Sequence, residues 1–202
     1  ISTEFDIDGI IENTEPINSD TQTGPPIFDT LHRFNIAVLG TKNAGATSLC
    51  YRLWKNQYKL QKRDKIEYTI DVATSNVRIN LYDLQGYDNQ FTLQKDIKII
   101  QNCTFAFIAF SVKDQTWQKD VTKLVSLVQE SNKNCRVALV GTKIDEGNYS
   151  KETIRKYVYS NKIKLYYFVS NKTGEGCHQL LQLHWPDKQD PNIHIEQKKC
   201  CK

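Results

Sequence analysis

The 202-residue sequence lacks any apolar run of about 18 residues, the length that a membrane-spanning helix requires. It has no regular C-x-x-C pairs, and its histidines, at positions 32, 178, 184 and 194, lack metal-ligand spacing. Six cysteines are too sparse for a disulfide scaffold, so we expect a reducing, intracellular setting. The first residues lack the basic segment of a signal peptide, and the start at Ile1 indicates cloning residues or an internal fragment.

Lysine and arginine are absent from residues 1–31, which carry seven acidic side chains. Because the whole chain has a net charge of +4, the other 171 residues carry 27 − 16 = +11. We predict a flexible acidic leader over residues 1–32, a folded domain over 33–185 and a flexible tail over 186–202. The basic body is suited to anionic lipid, an acidic partner or its own leader, but a solvated lysine-rich surface explains it equally well.

Short apolar runs alternate with longer amphipathic stretches after Arg33, which is typical of an α/β domain with a mostly parallel sheet. We predict strands over residues 34–39, 68–72, 77–81, 104–110, 136–140 and 165–169, the second and third forming an antiparallel hairpin. Helices are predicted near 48–54, along an apolar stripe from Trp117 to Val128, and through Leu180 to Leu183.

The first strand runs into G-T-K-N-A-G-A-T at residues 40–47, which fits the phosphate-binding pattern G-x-x-x-x-G-K-[ST] except at Ala46. Backbone N–H groups of such a loop bind phosphate oxygens, whereas its lysine offsets charge on the β- and γ-phosphates. Ala46 carries no charge. Taken alone, the segment also fits a strand-to-helix turn without a ligand. Lys42 is a candidate substitute cation, although a solvated role is the simpler interpretation.

Three further motifs follow predicted strands: D-L-Q-G at 83–86, G-T-K-I-D at 141–145 and S-N-K-T-G at 170–174. Ligands bind at the carboxyl ends of strands in open α/β sheets. In order and spacing the set resembles the small GTPases over about residues 33–185, and the S-N-K-T-G-E-G run resembles the Rab family. The resemblance implies a three-layer G domain of the P-loop NTPase class, with a mostly parallel six-stranded sheet, one antiparallel hairpin strand and helices on both faces.

The resemblance also implies roles for individual residues. Thr47 would bind Mg²⁺ directly, Asp83 would hold it through water, and the Gly86 N–H would face the γ-phosphate. Asp145 would accept two hydrogen bonds from guanine, with Lys143 along the base. The full nucleotide-binding set would comprise Gly40, Asn43, Ala44, Gly45, Ala46, Thr47, Ser48, Gly86, Thr142, Lys143, Asp145, Ser170, Asn171 and Lys172. Thr142 replaces the usual Asn, as it does in the Rho branch.

Two positions depart from the family pattern besides Ala46. Tyr87 stands where Rab and Ras proteins carry the glutamine that orients the attacking water, and a phenol lacks that donor and acceptor pair. We therefore assign no catalytic residue and expect hydrolysis to be very slow or absent. Thr69, the nearest candidate for the switch threonine that binds Mg²⁺, lies within the predicted hairpin strand, where an ordinary strand role is favoured.

Cys200 and Cys201 resemble the prenylated double cysteine of Rab tails, although the final Lys202 departs from the commonest endings. Two lipids would attach the protein to endomembranes from the cytoplasm. We therefore expect a Rab-like protein of vesicle trafficking that binds GTP or GDP with Mg²⁺, effectors or regulators and membrane, but no nucleic acid. The alternative is a pseudo-GTPase that binds no nucleotide and acts as an interaction or scaffold module, possibly within a longer chain.

Overall fold

Six β-strands and four α-helices alternate along the part of the chain that the computed structural model describes, residues 32–60, 65–72, 77–84, 90–147 and 149–182. The strands are β1 (His32–Gly40), β2 (Glu67–Val72), β3 (Val77–Asp83), β4 (Phe105–Ser111), β5 (Arg136–Thr142) and β6 (Leu165–Phe168). The helices are α1 (Ala46–Lys55), α2 (Gln90–Ile100), α3 (Trp117–Ser131) and α4 (Lys151–Ser160). Two 3₁₀ helices cover Ile144–Glu146 and Cys177–Leu181.

The strands form one sheet in the order β2-β3-β1-β4-β5-β6. All neighbours are parallel except β2 and β3, which pair antiparallel from Glu67 opposite Tyr82 to Val72 opposite Val77. The predicted fold class and the predicted hairpin are therefore confirmed. Strand β2 lies at one edge of the sheet and β6 at the other.

Helices cover both faces of the sheet. The cluster on one face joins α2, α3 and α4 to the strands, whereas the other joins α1 and the 3₁₀ helix Cys177–Leu181. All seven residues of β4 are buried because the strand is covered on both sides. The predicted apolar stripe of α3 is buried against this sheet, where Trp117 stacks on Phe110 with ring centroids 4.3 Å apart.

Several boundaries differ from the predictions. Helix α1 begins at Ala46, two residues before its predicted start, and β4 and β5 continue to Ser111 and Thr142. Helices α2 and α4 were not predicted from the sequence. In α4 only Ile154 and Val158 are buried, so its apolar stripe is too sparse to stand out in the sequence.

The last predicted helix appears as the 3₁₀ helix Cys177–Leu181, and Leu183 lies outside the described residues. Across the described ranges, no helix combines the length and the hydropathy that a membrane span requires.

Candidate functional site

The parallel sheet brings the sequence motifs to one edge. Strands β1, β3, β4 and β5 all run in the same direction, and their register places Val38 opposite Asp83, Gly40 opposite Ala109 and Ser111 opposite Thr142. The loop of residues 40–47 is called the phosphate-type loop below. Since the carboxyl ends of parallel strands meet at one edge of a sheet, this loop and the motifs after β3 and β5 lie there together. The S-N-K-T-G motif follows β6 at the same edge.

The loop between β1 and α1 forms a tight turn. The Ala44 N–H donates to the Thr41 carbonyl at 3.0 Å, and Asn43 and Gly45 adopt left-handed conformations with φ of 60° and 79°. A Cβ added to Gly40 would lie 2.9 Å from the Ala46 Cβ, so only glycine fits the end of β1. The backbone of the phosphate-type loop therefore has the left-handed turns typical of anion-binding nests.

Helix α1 begins directly after this loop. Its N-cap, Gly45, makes no side-chain cap hydrogen bond, and its first turn contains no acidic residue. Because the first N–H groups of a helix have no partner within it, this terminus suits an anion. The position of the usual lysine is the first residue of the helix, Ala46, which presents only a methyl group. Lys42 lies on the turn with an exposed side chain.

The two predicted magnesium ligands lie at adjacent element ends. Thr47 lies half-buried in the first turn of α1, and Asp83 is the buried last residue of β3. The backbone of β3 is fixed here, because the Leu84 N–H donates to the Val38 carbonyl at 2.9 Å. Hydroxyl and carboxylate oxygens of this kind fit Mg²⁺, which usually takes few protein ligands and keeps several waters.

At the other end of the site, Asp145 is held by Ser170. The Ser170 hydroxyl donates to Asp145 Oδ1 at 2.6 Å and accepts the Thr173 N–H at 3.0 Å. Across the described ranges, nothing bonds to the second carboxylate oxygen of Asp145, and the side chain is exposed. A carboxylate fixed through one oxygen is prepared to accept hydrogen bonds from a planar donor edge.

Two side chains from this end bond to the phosphate-type loop. The buried Thr142 hydroxyl lies 2.6 Å from the Ala44 carbonyl oxygen and 3.0 Å from that of Phe110. The Asn171 side-chain amide donates to the Gly45 carbonyl at 3.0 Å. Both bonds fix carbonyls of the loop that precedes α1, so its conformation is supported from the other end of the site.

Two buried polar atoms near the loop lack a hydrogen-bond partner among the described residues: Asn171 Oδ1 and Thr41 Oγ1. A buried oxygen without a partner costs about 1–3 kcal/mol. Such atoms at the carboxyl edge of the sheet fit a site that receives a polar ligand.

Arg52 is a site residue that the sequence analysis missed. Its buried guanidinium donates from Nε to the Asn171 carbonyl and from Nη2 to the Lys172 carbonyl, both at 2.7 Å, and from Nη1 to the Asn56 carbonyl at 2.9 Å. Helix α1 is thereby bonded directly to the S-N-K-T-G loop. The available signal was a cation beside the buried apolar positions Leu49 and Leu53 of an amphipathic helix.

The S-N-K-T-G loop is also fixed from behind. Cys177 Sγ lies 3.5 Å from the Ser170 carbonyl oxygen, and burial raises the pKa of this thiol to about 11, so it is neutral at physiological pH. Gly176 has a φ of 72°, and a Cβ there would lie 2.2 Å from the Phe168 carbonyl oxygen. The backbone that follows the loop therefore requires glycine.

Some predicted positions cannot be placed. Gly86 and Tyr87 lie within residues 85–89, and Cys200 and Cys201 within 183–202, all outside the described part of the chain. Thr69 lies in β2 with an exposed side chain that bonds to Asn80 Oδ1 at 3.3 Å, which confirms its predicted position in the hairpin strand.

A cleft of about 420 Å³ lies between the loop after β4 and the start of α4. Val112, Trp117 and Tyr149 are among its lining residues, and none of the predicted nucleotide-binding residues that the structure describes lines it. Its position therefore does not identify the candidate site, which rests on the four motifs.

The comparisons with known proteins agree with this arrangement at the level of a family. A family model described as Ras family matches residues 35–185, about three quarters of the chain. A search of curated proteins found no match. The matched segment begins within β1 and contains all four motifs.

Proposed function

The chain belongs to the Ras family of small GTPases, and we propose that it is a Rab-like GTP-binding protein of vesicle trafficking with weakened nucleotide binding and very slow or absent GTP hydrolysis. The nucleotide part of the proposal rests on one observation: hydrogen bonds hold the Asp145 end of the site, which we call the guanine end. Ser170 bonds to Asp145, Arg52 connects the S-N-K-T-G loop to α1, and Asn171 connects the same loop to the phosphate-type loop.

Guanine recognition is assigned to three elements. The Asp145 carboxylate would accept hydrogen bonds from the base, the Asn171 backbone N–H would bond to the guanine carbonyl oxygen, and Lys143 would pack along the ring. The geometry supports this assignment because Asp145 is already fixed through one oxygen. Charge-assisted hydrogen bonds to a preorganised carboxylate are strong and sensitive to geometry.

Phosphate binding is assigned to the backbone of residues 40–48 and the N-terminus of α1. Thr47 and Asp83 would hold Mg²⁺, which would neutralise charge on the β- and γ-phosphates. The missing lysine removes a charge-assisted contact worth about 1.5–3 kcal/mol, or roughly one to two decades of affinity. Binding is therefore weakened, and the loss falls on the end of the site that carries the reacting phosphate.

Slow hydrolysis follows from two substitutions. Ala46 cannot offset charge that develops on the phosphates, and Tyr87 replaces the glutamine that orients water in the family. The alternative function, a pseudo-GTPase acting as an interaction module, is favoured by the coincidence of these changes with Thr69 lying in a strand. The two proposals differ in whether the chain binds guanine nucleotide at all.

The deciding experiment is to purify the full chain without added nucleotide, denature it and identify what is released by chromatography. The apoprotein is then titrated calorimetrically with GDP and GTP, with and without Mg²⁺. We expect binding of both nucleotides and no measurable phosphate release over hours. Absence of any guanine binding would establish the pseudo-GTPase alternative, and ready phosphate release would contradict the proposed loss of hydrolysis.

The Rab-like assignment rests on the S-N-K-T-G-E-G run and on the tail, and the endomembrane location rests on the tail, where Lys198 and Lys199 precede Cys200 and Cys201. Two isoprenoid chains would supply the two signals that stable anchoring needs. We expect a Cys200→Ser, Cys201→Ser variant to shift from the membrane to the soluble fraction of cells, whereas Ser19→Ala in the leader leaves the distribution unchanged. An unaltered membrane fraction in the double variant would show that the anchoring proposal is wrong.

A further inference from the structure

Two half-buried aromatic rings and three lysines form a surface where the end of α1 meets the start of β2. Tyr51 and Trp54 pack edge to face with centroids 5.9 Å apart, and Trp54 and Tyr68 do so at 5.6 Å. We call the exposed part of this set the basic aromatic surface; it comprises Tyr51, Trp54, Lys55, Lys59 and Lys65, whereas Tyr68 is buried behind Trp54.

The lysine ammonium groups lie over these rings. Lys55 Nζ is 3.9 Å and Lys65 Nζ is 3.5 Å from the Trp54 centroid, while Lys59 Nζ is 5.7 Å from that of Tyr51. Each such contact is weakly stabilising at an exposed site. Two like charges over one ring nevertheless repel each other, so the surface favours an anionic partner.

No carboxylate in the described part of the chain forms an ion pair with these three lysines. Glu67, the first residue of β2, instead accepts the Tyr82 hydroxyl at 3.3 Å. Tyr82 packs with the cluster on the opposite face of the sheet, whereas Tyr68 belongs to the α1 face. Among the described residues, no carboxylate is therefore paired with the positive charge of the surface.

Large apolar side chains are exposed beside the lysines. Among the described residues, Tyr58 is 40%, Leu60 83% and Ile66 48% exposed, and the remaining large apolar side chain in that class is Tyr159 on α4. Because exposed apolar groups gather here with unpaired cations, the surface suits a segment that carries both carboxylates and apolar side chains.

We propose that the basic aromatic surface binds the chain's own acidic leader, through residues 6–15. This segment contains four carboxylates, at positions 6, 8, 12 and 15, three isoleucines, at 7, 10 and 11, and no cation. The 16 residues from 16 to 31 connect it to β1 and span at most about 55 Å, enough to reach α1, which packs on β1. A tether of this kind gives an effective concentration of the order of millimolar, so a weak contact suffices.

The proposal is independent of nucleotide binding. It makes the leader a cover that any other ligand of the basic aromatic surface must displace. Since exposed charges dominate the contact, salt should weaken it steeply, because the screening length falls from about 10 Å at 0.1 M to about 3 Å at 1 M.

The test uses the full chain with a nitroxide attached at Ser19→Cys, in a background where Cys200 and Cys201 are changed to serine. The other four cysteines are buried. Paramagnetic broadening is read on the indole N–H resonances of Trp54 and of Trp117, which lies buried on the opposite face. At low salt we expect Trp54 to broaden at least threefold more than Trp117, and the difference to disappear at 1 M salt.

Two variants locate the contact. Neutralising the leader (Asp6→Asn, Asp8→Asn, Glu12→Gln, Glu15→Gln) leaves the folded domain untouched and should abolish the excess broadening of Trp54. Lys55→Gln with Lys65→Gln should abolish it as well, whereas the matched pair Lys119→Gln with Lys133→Gln should preserve it.

The proposal is overturned if Trp54 and Trp117 broaden equally, or if the neutralised leader retains the effect. Broadening that grows with protein concentration would show that the leader binds a second chain instead. A Trp54 resonance that responds only when vesicles containing phosphatidylserine are added would assign the surface to a membrane, which also contradicts the proposal.

Discussion

The guanine end of the site and its phosphate end, formed by the phosphate-type loop and the start of α1, are held in place by different groups. At the guanine end, side-chain hydrogen bonds fix the structure: Ser170 bonds to Asp145, and the Arg52 guanidinium bonds to two carbonyls of the S-N-K-T-G loop. At the phosphate end, the left-handed turns and the helix terminus are present, but the cation is replaced by Ala46. The side chains of one end are therefore held in place, whereas the other end keeps its backbone conformation without the usual cation.

The shape of the phosphate end is partly imposed by the guanine end. Thr142 and Asn171 bond to the carbonyls of Ala44 and Gly45, the two residues before α1. Because these bonds do not involve position 46, the loop conformation does not require a lysine there. A loop of this type can therefore lose its charge without losing its fold.

The largest expected effect comes from removing the guanidinium that supports the guanine end. Arg52→Ala deletes two 2.7 Å bonds to the Asn171 and Lys172 carbonyls and leaves these groups without a donor. Since hydrogen bonds to charged groups contribute about 1.5–3 kcal/mol each, the free energy of unfolding should fall by about 3 kcal/mol. Urea denaturation measures the change, with exposed Arg33→Ala as control. Equal losses in the two variants would contradict the support role.

The next effect concerns the base itself. Asp145→Asn removes the charge that would accept hydrogen bonds from guanine, so GDP affinity should fall about 100-fold, or about 2.7 kcal/mol. Calorimetric titration measures it, and Glu146→Gln, in the same short 3₁₀ helix, serves as the matched control. If GDP affinity falls by less than threefold in Asp145→Asn, the base does not bind at Asp145.

Restoring the cation tests the phosphate end. Ala46→Lys should raise the affinity for GDP and GTP about tenfold or more, because it returns a charge-assisted phosphate contact to a loop of suitable shape. Ala46→Gln supplies a long side chain without the charge and should give no gain. If the lysine variant binds no better than the parent chain, the loop is closed to phosphate for a reason other than charge.

The smallest expected effect is at Lys42, the candidate substitute cation. Its side chain is exposed on the turn, so Lys42→Gln should change nucleotide affinity by less than about twofold. The same titration measures it, with Lys98→Gln on α2 as control for a general loss of positive charge. A tenfold loss of nucleotide affinity in Lys42→Gln would show that Lys42 replaces the missing lysine as the cation that contacts the phosphates.

The parts of the fold that the sequence predicted are those with local signals. Apolar runs identified the strands, and the alternation around residues 73–76 identified the hairpin. Helix α4 was not predicted because only two of its residues are buried, Ile154 and Val158. A stripe this sparse has no clear period in the sequence.

The residues of the candidate site also fall into those that the sequence predicted and those that only the folded chain reveals. Its motifs are contiguous in sequence and follow strand ends, so the four segments were visible without a structure. Arg52 was not, because its partners Asn171 and Lys172 lie about 120 positions away and meet it only in the folded chain. The bond from Thr142 to Ala44 spans a similar separation, 98 positions. Contacts of this kind follow from the packing of α1 on the sheet, which periodicity alone does not specify.

The most direct test of the central claim is a parallel calorimetric titration of the unmodified full chain with GDP, GTP and ADP in the presence of Mg²⁺. An intact guanine end beside an uncharged phosphate end predicts at least 100-fold preference for GDP over ADP and no more than about threefold preference for GTP over GDP, each factor of ten being about 1.4 kcal/mol. Equal affinity for GDP and ADP, or a tenfold or greater preference for GTP, would contradict the account.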